Sequence, residues 1–421
     1  MEVKTVHDLD ATVEVPGSKS YTQRALVIAS LARGRSILSN VLISEDTQYL
    51  LEALRSLGTK ILASGSDIIV TGTEGRIRNP GRAVFLGNNG TALRFLTTLV
   101  SLGRGEFVLD GSSRLRERPV KPLLDALKTL GVASQSRNNR GYPPLRIDAE
   151  GIRGGSVTFT DVESSQYVSS LLIGAPYAGE DIEIRLEGRT VSEPYIEMTL
   201  NVMENFGAEI IRGESNSYRV KSGLRYSGKK YIIEGDASSA SYFFLAAALC
   251  RGRVRVVNIN PDSLQGDIKL LDIMESLGCS VVRGDAWVEV IGGPLNEGDV
   301  RFDMGDMPDM VPTLAVLSAS RKGLTTITNV SHLRIKESDR IAALVNELKR
   351  IGVTAKEKND GLVIVGGKPH GADIETYNDH RIAMSFAIAG LAIPGMKVKD
   401  KLCVRKSFPG FWNELKKLHG G

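Results

Sequence analysis

Pro312-Thr-Leu-Ala-Val-Leu-Ser-Ala-Ser-Arg-Lys322 is followed by Gly323 and then by Thr325-Thr-Ile-Thr-Asn329: an apolar helical stretch, a glycine and a β-rich run. The same order occurs six times. Residues 25–33 precede Gly34 and the run 36–41, 94–102 precede Gly103 and 106–109, and 167–178 precede Gly179 and 181–186. Residues 242–251 precede Gly252 and 254–258, and 381–394 precede Gly395 and 397–399. Successive glycines are 69, 76, 73, 71 and 72 residues apart, and a period near 70 marks repeated folded modules.

A second helix follows each first one. Leu50-Leu-Glu-Ala-Leu-Arg-Ser-Leu ends at Gly58, and Leu123-Leu-Asp-Ala-Leu-Lys-Thr-Leu ends at Gly131; comparable stretches end at Gly207, Gly278 and Gly352. These glycines stand where a helix needs a left-handed C-terminal residue. Leu123, Leu124, Leu127 and Leu130 give one buried face. Two short alternating runs joined by turns such as Ser64-Gly65-Ser66 come next and read as antiparallel hairpins. Each unit is therefore strand–helix–strand–helix–strand–strand. The sixth is cut short, because 411–418 copies the second helix and the sequence ends at Gly421, before the strand pair. Residues 1–16 hold two strand-like runs ahead of any helix, so they are expected to pair into the C-terminal half. The fold class is α/β: a first lobe of three repeats, 17–228, and a second of three, 1–16 plus 229–421. A six-unit solenoid would need polar end caps, and none is evident.

Composition sets the outer bounds. With 421 residues, 42% hydrophobic and 24% charged, the chain is too long for one core. The balance of 53 basic against 49 acidic residues makes no general case for nucleic-acid binding, so any basic site must be local. Cys250, Cys279 and Cys403 share no CxxC spacing and the histidines form no HExxH, so no metal is expected. Sparse cysteines fit a reducing compartment, the cytoplasm. Neither an 18-residue apolar run nor a signal-peptide core is present, so no membrane association is expected.

Polar residues gather where each first helix begins: Gly17-Ser-Lys-Ser20 with Arg24, Gly87-Asn-Asn-Gly-Thr-Ala-Leu-Arg94, Ser164-Ser-Gln166, Asp236 to Ser239, Pro308-Asp309 and Asn378-Asp-His-Arg381. A helix N-terminus offers free N–H groups and partial positive charge, and small residues let an oxyanion approach them. Each string alone reads as a turn or an N-cap; six at equivalent positions point to a polyanionic small-molecule site. Neither a Walker A loop nor a GxGxxG fingerprint is present, so no nucleotide cofactor is indicated. Two further segments are densely charged: Arg114-Leu-Arg-Glu-Arg-Pro-Val-Lys121 and Arg334-Ile-Lys-Glu-Ser-Asp-Arg340.

In order, these strings, with Ser192-Glu-Pro-Tyr195 and Lys406-Ser-Phe-Pro409, closely resemble the 5-enolpyruvylshikimate-3-phosphate synthases of the enolpyruvyl transferase family. The matching positions run from 16 to 409. The resemblance implies a two-lobe inside-out α/β fold and transfer of enolpyruvyl from phosphoenolpyruvate to the 5-hydroxyl of shikimate 3-phosphate, releasing phosphate, without metal or cofactor. It implies that Lys19, Ser20, Arg24, Ser164, Ser165, Gln166, Ser192, Tyr195, Asp309, His332 and Lys336 hold shikimate 3-phosphate. Lys19, Gly90, Arg118, Gln166, Arg340, Arg381 and Lys406 would hold phosphoenolpyruvate, and Asp309, Glu337 and Lys19 would move protons. The family often has Asn where this chain has His332, which adds a pH-dependent charge. Glu193 is expected to face solvent.

Residue types agree with that chemistry. Two substrates each carrying a carboxylate and a phosphate bring roughly five to six negative charges. Eight bases (Lys19, Arg24, Arg94, Arg118, Lys336, Arg340, Arg381 and Lys406) are about enough to neutralise them, and Arg suits bidentate capture. A base must take the hydroxyl proton, an acid must protonate the vinyl methylene, and a base must later remove a methyl proton. A carboxyl among arginines should start ionised. An enolpyruvyl transferase acting on a UDP-sugar is the nearest alternative, but that family typically has a Cys in its mobile loop and 111–122 contains none. An RNA-terminal phosphate cyclase-like protein would call for exposed aromatics among basic patches. The expected partners are small-molecule substrates alone, with the protein a monomer whose lobes close on them.

Overall fold

In the computed structural model, Gly58, Gly131, Gly207, Gly278 and Gly352 all have φ between 83° and 106°, a conformation that ends a helix and suits glycine. The structure describes residues 1–214 and 216–419; positions 420 and 421 of the expected second lobe lie outside the described residues. Twelve α-helices occur among the described residues: α1 (Lys19–Leu31), α2 (Glu45–Ser56), α3 (Gly90–Ser101), α4 (Lys121–Thr129), α5 (Ser165–Gly174), α6 (Pro194–Asn205), α7 (Ala237–Cys250), α8 (Leu270–Ser276), α9 (Val311–Ala319), α10 (Arg340–Arg350), α11 (His380–Ala389) and α12 (Phe411–Lys417). Each glycine follows an even-numbered helix.

The odd-numbered helices are buried along nearly their whole length. Their sequences are apolar or small all round, as in the Val-Pro-Thr-Leu-Ala-Val-Leu-Ser-Ala of α9, so no face prefers water. Some of their hydroxyls bond between helices: Thr98 meets Ser170 at 2.6 Å across α3 and α5, and Ser241 meets Thr313 at 3.1 Å across α7 and α9. Even-numbered helices bury one face only; α4 buries Leu123, Leu124, Ala126 and Leu127.

Five of the six repeats form a sheet in which a parallel pair is extended by two antiparallel strands, and the sixth keeps only the parallel pair, 373–374 with 397–398. Residues 84–85 and 104–110 pair in parallel, then 145–150 and 133–136 join antiparallel. The same order holds for 155–162, 182–190, 217–220 and 210–213, and for 300–303, 323–328, 361–366 and 354–358. In two repeats the first strand is exchanged. Asp10–Glu14 pairs in parallel not with Arg35–Ser39, the next strand in the chain, but with Arg253–Val257; Lys230–Ile232 takes the place beside Arg35–Ser39. The two chain passages lie side by side, with Ser18 N donating to Glu234 O at 2.7 Å and Asp236 N to Pro16 O at 2.9 Å. Gly235 is required there, since a Cβ would come within 2.1 Å of Asn258 O.

The chain accordingly divides into two compact units, Met1–Ser18 with Glu234–Gly421, and Lys19–Ile233. The boundaries fall two and five residues beyond the expected 16/17 and 228/229, because Lys230–Ile232 completes the sheet of the Lys19–Ile233 unit. The N-terminal segment also divides its work. Only its first residues serve the shortened sixth repeat, where Glu2 bridges Lys397 and Val3 N donates to Met396 O at 3.0 Å. Its second strand serves the fourth repeat instead. Each unit has its own core of aliphatic and aromatic residues around its three inner helices.

Candidate functional site

In the Lys19–Ile233 unit the least buried parts of the inner helices are their first turns, where Lys19, Ser20, Thr91 and Gln166 keep partial exposure. Asn89 caps α3 by accepting from Ala92 N at 2.9 Å and donates to Asp46 O at 2.7 Å. Asp46, in the first turn of α2, faces Lys19 Nζ at 3.5 Å. The starts of α1, α2 and α3 are thus linked through one carboxylate residue. Ser164 caps α5 by accepting from Gln166 N at 3.4 Å, while Ser165 is buried just after it. Ser192 is held at φ 61° immediately ahead of α6, whose first turn carries the half-buried Tyr195; Glu193 is exposed.

The arginines of this unit divide by what they touch. Arg24 is 1% exposed. It donates to Thr199 Oγ1 at 2.7 Å, Tyr195 O at 2.9 Å, Ser20 O at 3.1 Å and Ser169 Oγ at 3.4 Å, so four of its five N–H groups are used within the protein. Burial lowers its pKa to about 10, with Tyr195 and Tyr21 opposing the drop. Arg94 donates to Gln166 Oε1 and Pro119 O, each at 2.9 Å, and to Gly90 O at 3.1 Å. It ties together α3, α5 and the 111–122 loop. It also orients Gln166, whose amide nitrogen donates to Thr91 Oγ1 at 3.1 Å. Within the basic loop, Arg114 pairs with Glu117 and Arg116 with Asp110 near the surface. Lys121 pairs with Asp125 there too. Arg118 is buried, and its guanidinium lies directly over Gly90 at the start of α3: a Cβ on Gly90 would stand 2.4 Å from Arg118 Cζ.

In the other unit, Asp236 caps α7, accepting from Ser239 N at 2.7 Å, and Asp379 caps α11, accepting from Arg381 N at 2.9 Å. Ahead of α11, Tyr377 and Asn378 both have positive φ, 55° and 53°. This bend is held by the buried Glu347, which accepts from Tyr377 Oη at 2.8 Å and Glu375 N at 3.0 Å. Arg340, 1% exposed, is the hub of the cluster. It donates to Asp379 Oδ2 at 2.8 Å, Asp309 Oδ1 at 2.8 Å and Glu337 Oε2 at 2.7 Å. Arg381 donates to Asp309 Oδ2 at 2.6 Å and to Ser238 Oγ at 3.2 Å. Asp309 thus sits between two guanidinium groups with a fifth of its side chain exposed. Burial alone would raise its pKa, but Arg381, Arg340 and Lys336 outweigh burial and hold it well below the usual carboxylate range. His332 and Lys406 are buried near the ends of two short 3-10 turns, and Lys336 is half-buried.

Among the described residues, then, Lys19, Ser20, Gly90, Arg118, Ser164, Ser165, Gln166, Ser192 and Tyr195 belong to one unit. Asp309, His332, Lys336, Glu337, Arg340, Arg381 and Lys406 belong to the other. Asp267 was not foreseen, and Ser238 only as part of the string Asp236 to Ser239. Ser238 bridges Arg381 to Asp267, a carboxyl that is 4% exposed. In sequence, Asp267 looks like an ordinary acidic residue near a helix start; only the Gln265-Gly-Asp string hints at a close backbone approach.

The model of the family described as EPSP synthase (3-phosphoshikimate 1-carboxyvinyltransferase) matches residues 3–415. A 3-phosphoshikimate 1-carboxyvinyltransferase of Nostoc punctiforme is 44% identical over 409 residues, covering 97% of this chain and 96% of the relative. One of Methanoculleus marisnigri is 43% identical, covering 99% and 98%. An EPSP synthase structure from Acinetobacter baumannii has the same two-lobe inside-out α/β fold, with a TM-score of 0.83 over 99% of this chain and 98% of that one, at 24% identity. No helix among the described residues is long and apolar enough to cross a membrane. A family match across nearly the whole length, with relatives above 40% identical over almost all of both chains, makes this chain a member of the EPSP synthase family, the 3-phosphoshikimate 1-carboxyvinyltransferases.

Proposed function

We propose that the two sets of helix-start residues carry the reaction of this family. The enzyme transfers the enolpyruvyl group of phosphoenolpyruvate to the 5-hydroxyl of shikimate 3-phosphate and releases phosphate. Neither the UDP-sugar nor the RNA-directed alternative is favoured by a match spanning residues 3–415. In this reading Lys19, Ser20, Arg24, Ser164, Ser165, Gln166, Ser192, Tyr195, Asp309, His332 and Lys336 hold shikimate 3-phosphate. Arg24 contributes its one remaining N–H and the first turn of α1 that it braces. Lys19, Gly90, Arg118, Gln166, Arg340, Arg381 and Lys406 hold phosphoenolpyruvate, with Arg118 and the N-terminus of α3 presenting positive charge to one anionic group.

The observation that carries the mechanism is Asp309 between Arg340 and Arg381. A carboxylate held ionised in this way carries no proton at neutral pH, and it becomes a base for the proton of the attacking hydroxyl when the arginines loosen their hold on it. Glu337, hydrogen-bonded to the same Arg340, and Lys19 are the groups proposed for protonating the methylene and removing the methyl proton. Substrate anions that draw Arg340 and Arg381 toward themselves would weaken their hold on Asp309 and let it keep the proton it has taken. The protein is proposed to work as a cytoplasmic monomer without metal. The test is phosphate release by the purified chain with both substrates in EDTA. Activity only with UDP-N-acetylglucosamine, or only with a divalent ion restored, overturns the reading.

A further inference from the structure

Glu347 stands five residues before Gly352, the glycine that follows α10. At the same place the other four glycine-ended helices carry Ala53, Ala126, Val202 and Ile273, all buried and apolar. The repeat itself therefore asks for a small or aliphatic side chain here. This one repeat buries a carboxylate instead, and a buried charge is costly unless it is paired and hydrogen-bonded. Its bonds go to the segment that leads into α11. Oε1 accepts from Tyr377 Oη at 2.8 Å, and Oε2 accepts from Glu375 N and from Arg350 Nε, each at 3.0 Å. Tyr377 is where that segment is strained, because a bulky residue at φ 55° lies in the region that glycine favours. Ahead of α3 the equivalent place, two residues before the cap, is filled by Gly87, also at φ 55°. Asn378, at φ 53°, continues the bend into Asp379, which caps α11 and accepts from Arg340 Nε at 2.8 Å and Ser338 Oγ at 3.1 Å. Two residues further on, Arg381 donates to Asp309. Arg340 opens α10, and Glu347 lies seven residues along it, two turns away on the same face. One face of α10 thus grips both the cap of α11 and the bend ahead of it.

We propose that Glu347 is a positioning residue for Arg381. By holding the Tyr377 phenol and the Glu375 N–H, it keeps 375–378 in its left-handed course and so fixes where the first turn of α11 presents the Arg381 guanidinium to an anionic substrate. The inference rests on the reading of Arg381 as a phosphoenolpyruvate ligand. Without the carboxylate, Tyr377 loses the bond that offsets its strain, the bend relaxes, and the first turn of α11 shifts with it. The core is spared: alanine already occupies the equivalent position in two repeats, at Ala53 and Ala126, and the Arg350 side chain, 44% exposed, can turn to water.

The test measures kcat, KM for each substrate and Tm in wild type, Glu347→Ala and Tyr377→Phe. Misplacing a positioned group by about 1 Å can cost roughly 100-fold. Glu347→Ala should therefore raise KM for phosphoenolpyruvate by about 10- to 100-fold, and Tyr377→Phe, which loses only a hydroxyl on an exposed side chain, by about 3- to 10-fold. KM for shikimate 3-phosphate should stay within about twofold in both, since the loss falls on one ligand. In Glu347→Ala, an unchanged KM for phosphoenolpyruvate, or one raised no more than that for shikimate 3-phosphate, is what a merely structural role gives and overturns the proposal. If that variant does not fold, Tyr377→Phe decides by the same comparison. In an Arg381→Lys background the Glu347→Ala effect should shrink to about twofold or less, because the change acts through that side chain; full additivity overturns the proposal as well. Arg381→Lys by itself separates the two claims. An unchanged KM for phosphoenolpyruvate sinks the ligand assignment, whereas a raised KM beside wild-type values in Glu347→Ala and Tyr377→Phe sinks the Glu347 role alone.

Discussion

Gly90→Ala should separate binding from stability. Gly90 is the first residue of α3 and is not among the positive-φ glycines, so alanine fits its backbone, and replacing glycine within a helix gains roughly 0.5–1 kcal/mol. The new methyl would lie 2.4 Å from Arg118 Cζ and 2.6 Å from both Nη atoms. Carbon contacts settle near 3.5–4.0 Å, so the guanidinium must retreat by about 1–1.5 Å; it is the far end of a flexible side chain and can do so without disturbing the core. If Arg118 holds phosphoenolpyruvate, displacing it forfeits a charge-assisted hydrogen bond of about 1.5–3 kcal/mol, or roughly 10- to 150-fold in KM. Steady-state kinetics with each substrate varied, beside thermal denaturation, measures both sides. KM for phosphoenolpyruvate should rise in that range, KM for shikimate 3-phosphate should stay within about twofold, and Tm should not fall. In an Arg118→Ala background the Gly90→Ala effect should vanish, because the two changes act on one group. An unchanged KM, or full additivity of the two variants, would refute the assignment of Arg118; a fall in Tm would refute the claim that the backbone accepts alanine.

Asp309→Asn should lower kcat by about 100- to 10,000-fold while the protein stays folded, as expected of a positioned proton carrier. Because the carboxyl is held below its ordinary range when folded, its stabilising contribution is present above the unfolded pKa of about 3.9 and is lost as pH falls toward the folded value; denaturation curves of wild type and variant should therefore converge in acid. Arg24→Met takes the Arg24 donors away from Thr199 Oγ1 and the Tyr195 and Ser20 carbonyls and should cost about 2–5 kcal/mol of stability by urea titration, so a variant of wild-type stability would argue against the bracing role. A fragment of residues 19–233 should be more soluble than one of 17–228, which lacks Lys230–Ile232 and bares the edge of Arg35–Ser39; equal solubility would mean that the exchanged strand is dispensable.

Much of the architecture was legible because it is periodic or local. The glycines after the second helices mark left-handed residues whatever surrounds them, and the all-round apolar character of α7 and α9 already says that these helices are interior. The polar strings at the starts of the first helices were legible for the same reason: a capping residue or a glycine at a helix start acts on its own backbone. The exchange of Asp10–Glu14 for Lys230–Ile232 was not. Both are short strands just ahead of a first helix, and alternation says which face is buried but not which neighbour is paired. That choice belongs to the path of the whole chain, settled where Ser18 and Asp236 hydrogen-bond to the opposite passage. The arginines make the same point. Arg24, Arg94 and Arg118 are equally basic in sequence and equally close to helix starts. Tertiary packing alone gives Arg94 to Gln166 and Pro119, gives Arg24 to Thr199 and Tyr195, and lays Arg118 over Gly90. Asp267 was hidden for the same cause: Ser238 stands 29 residues before it, and Arg381 is reached only through Ser238, 143 residues from that serine, and the charge of a buried group is decided by such neighbours, which a local pattern does not contain.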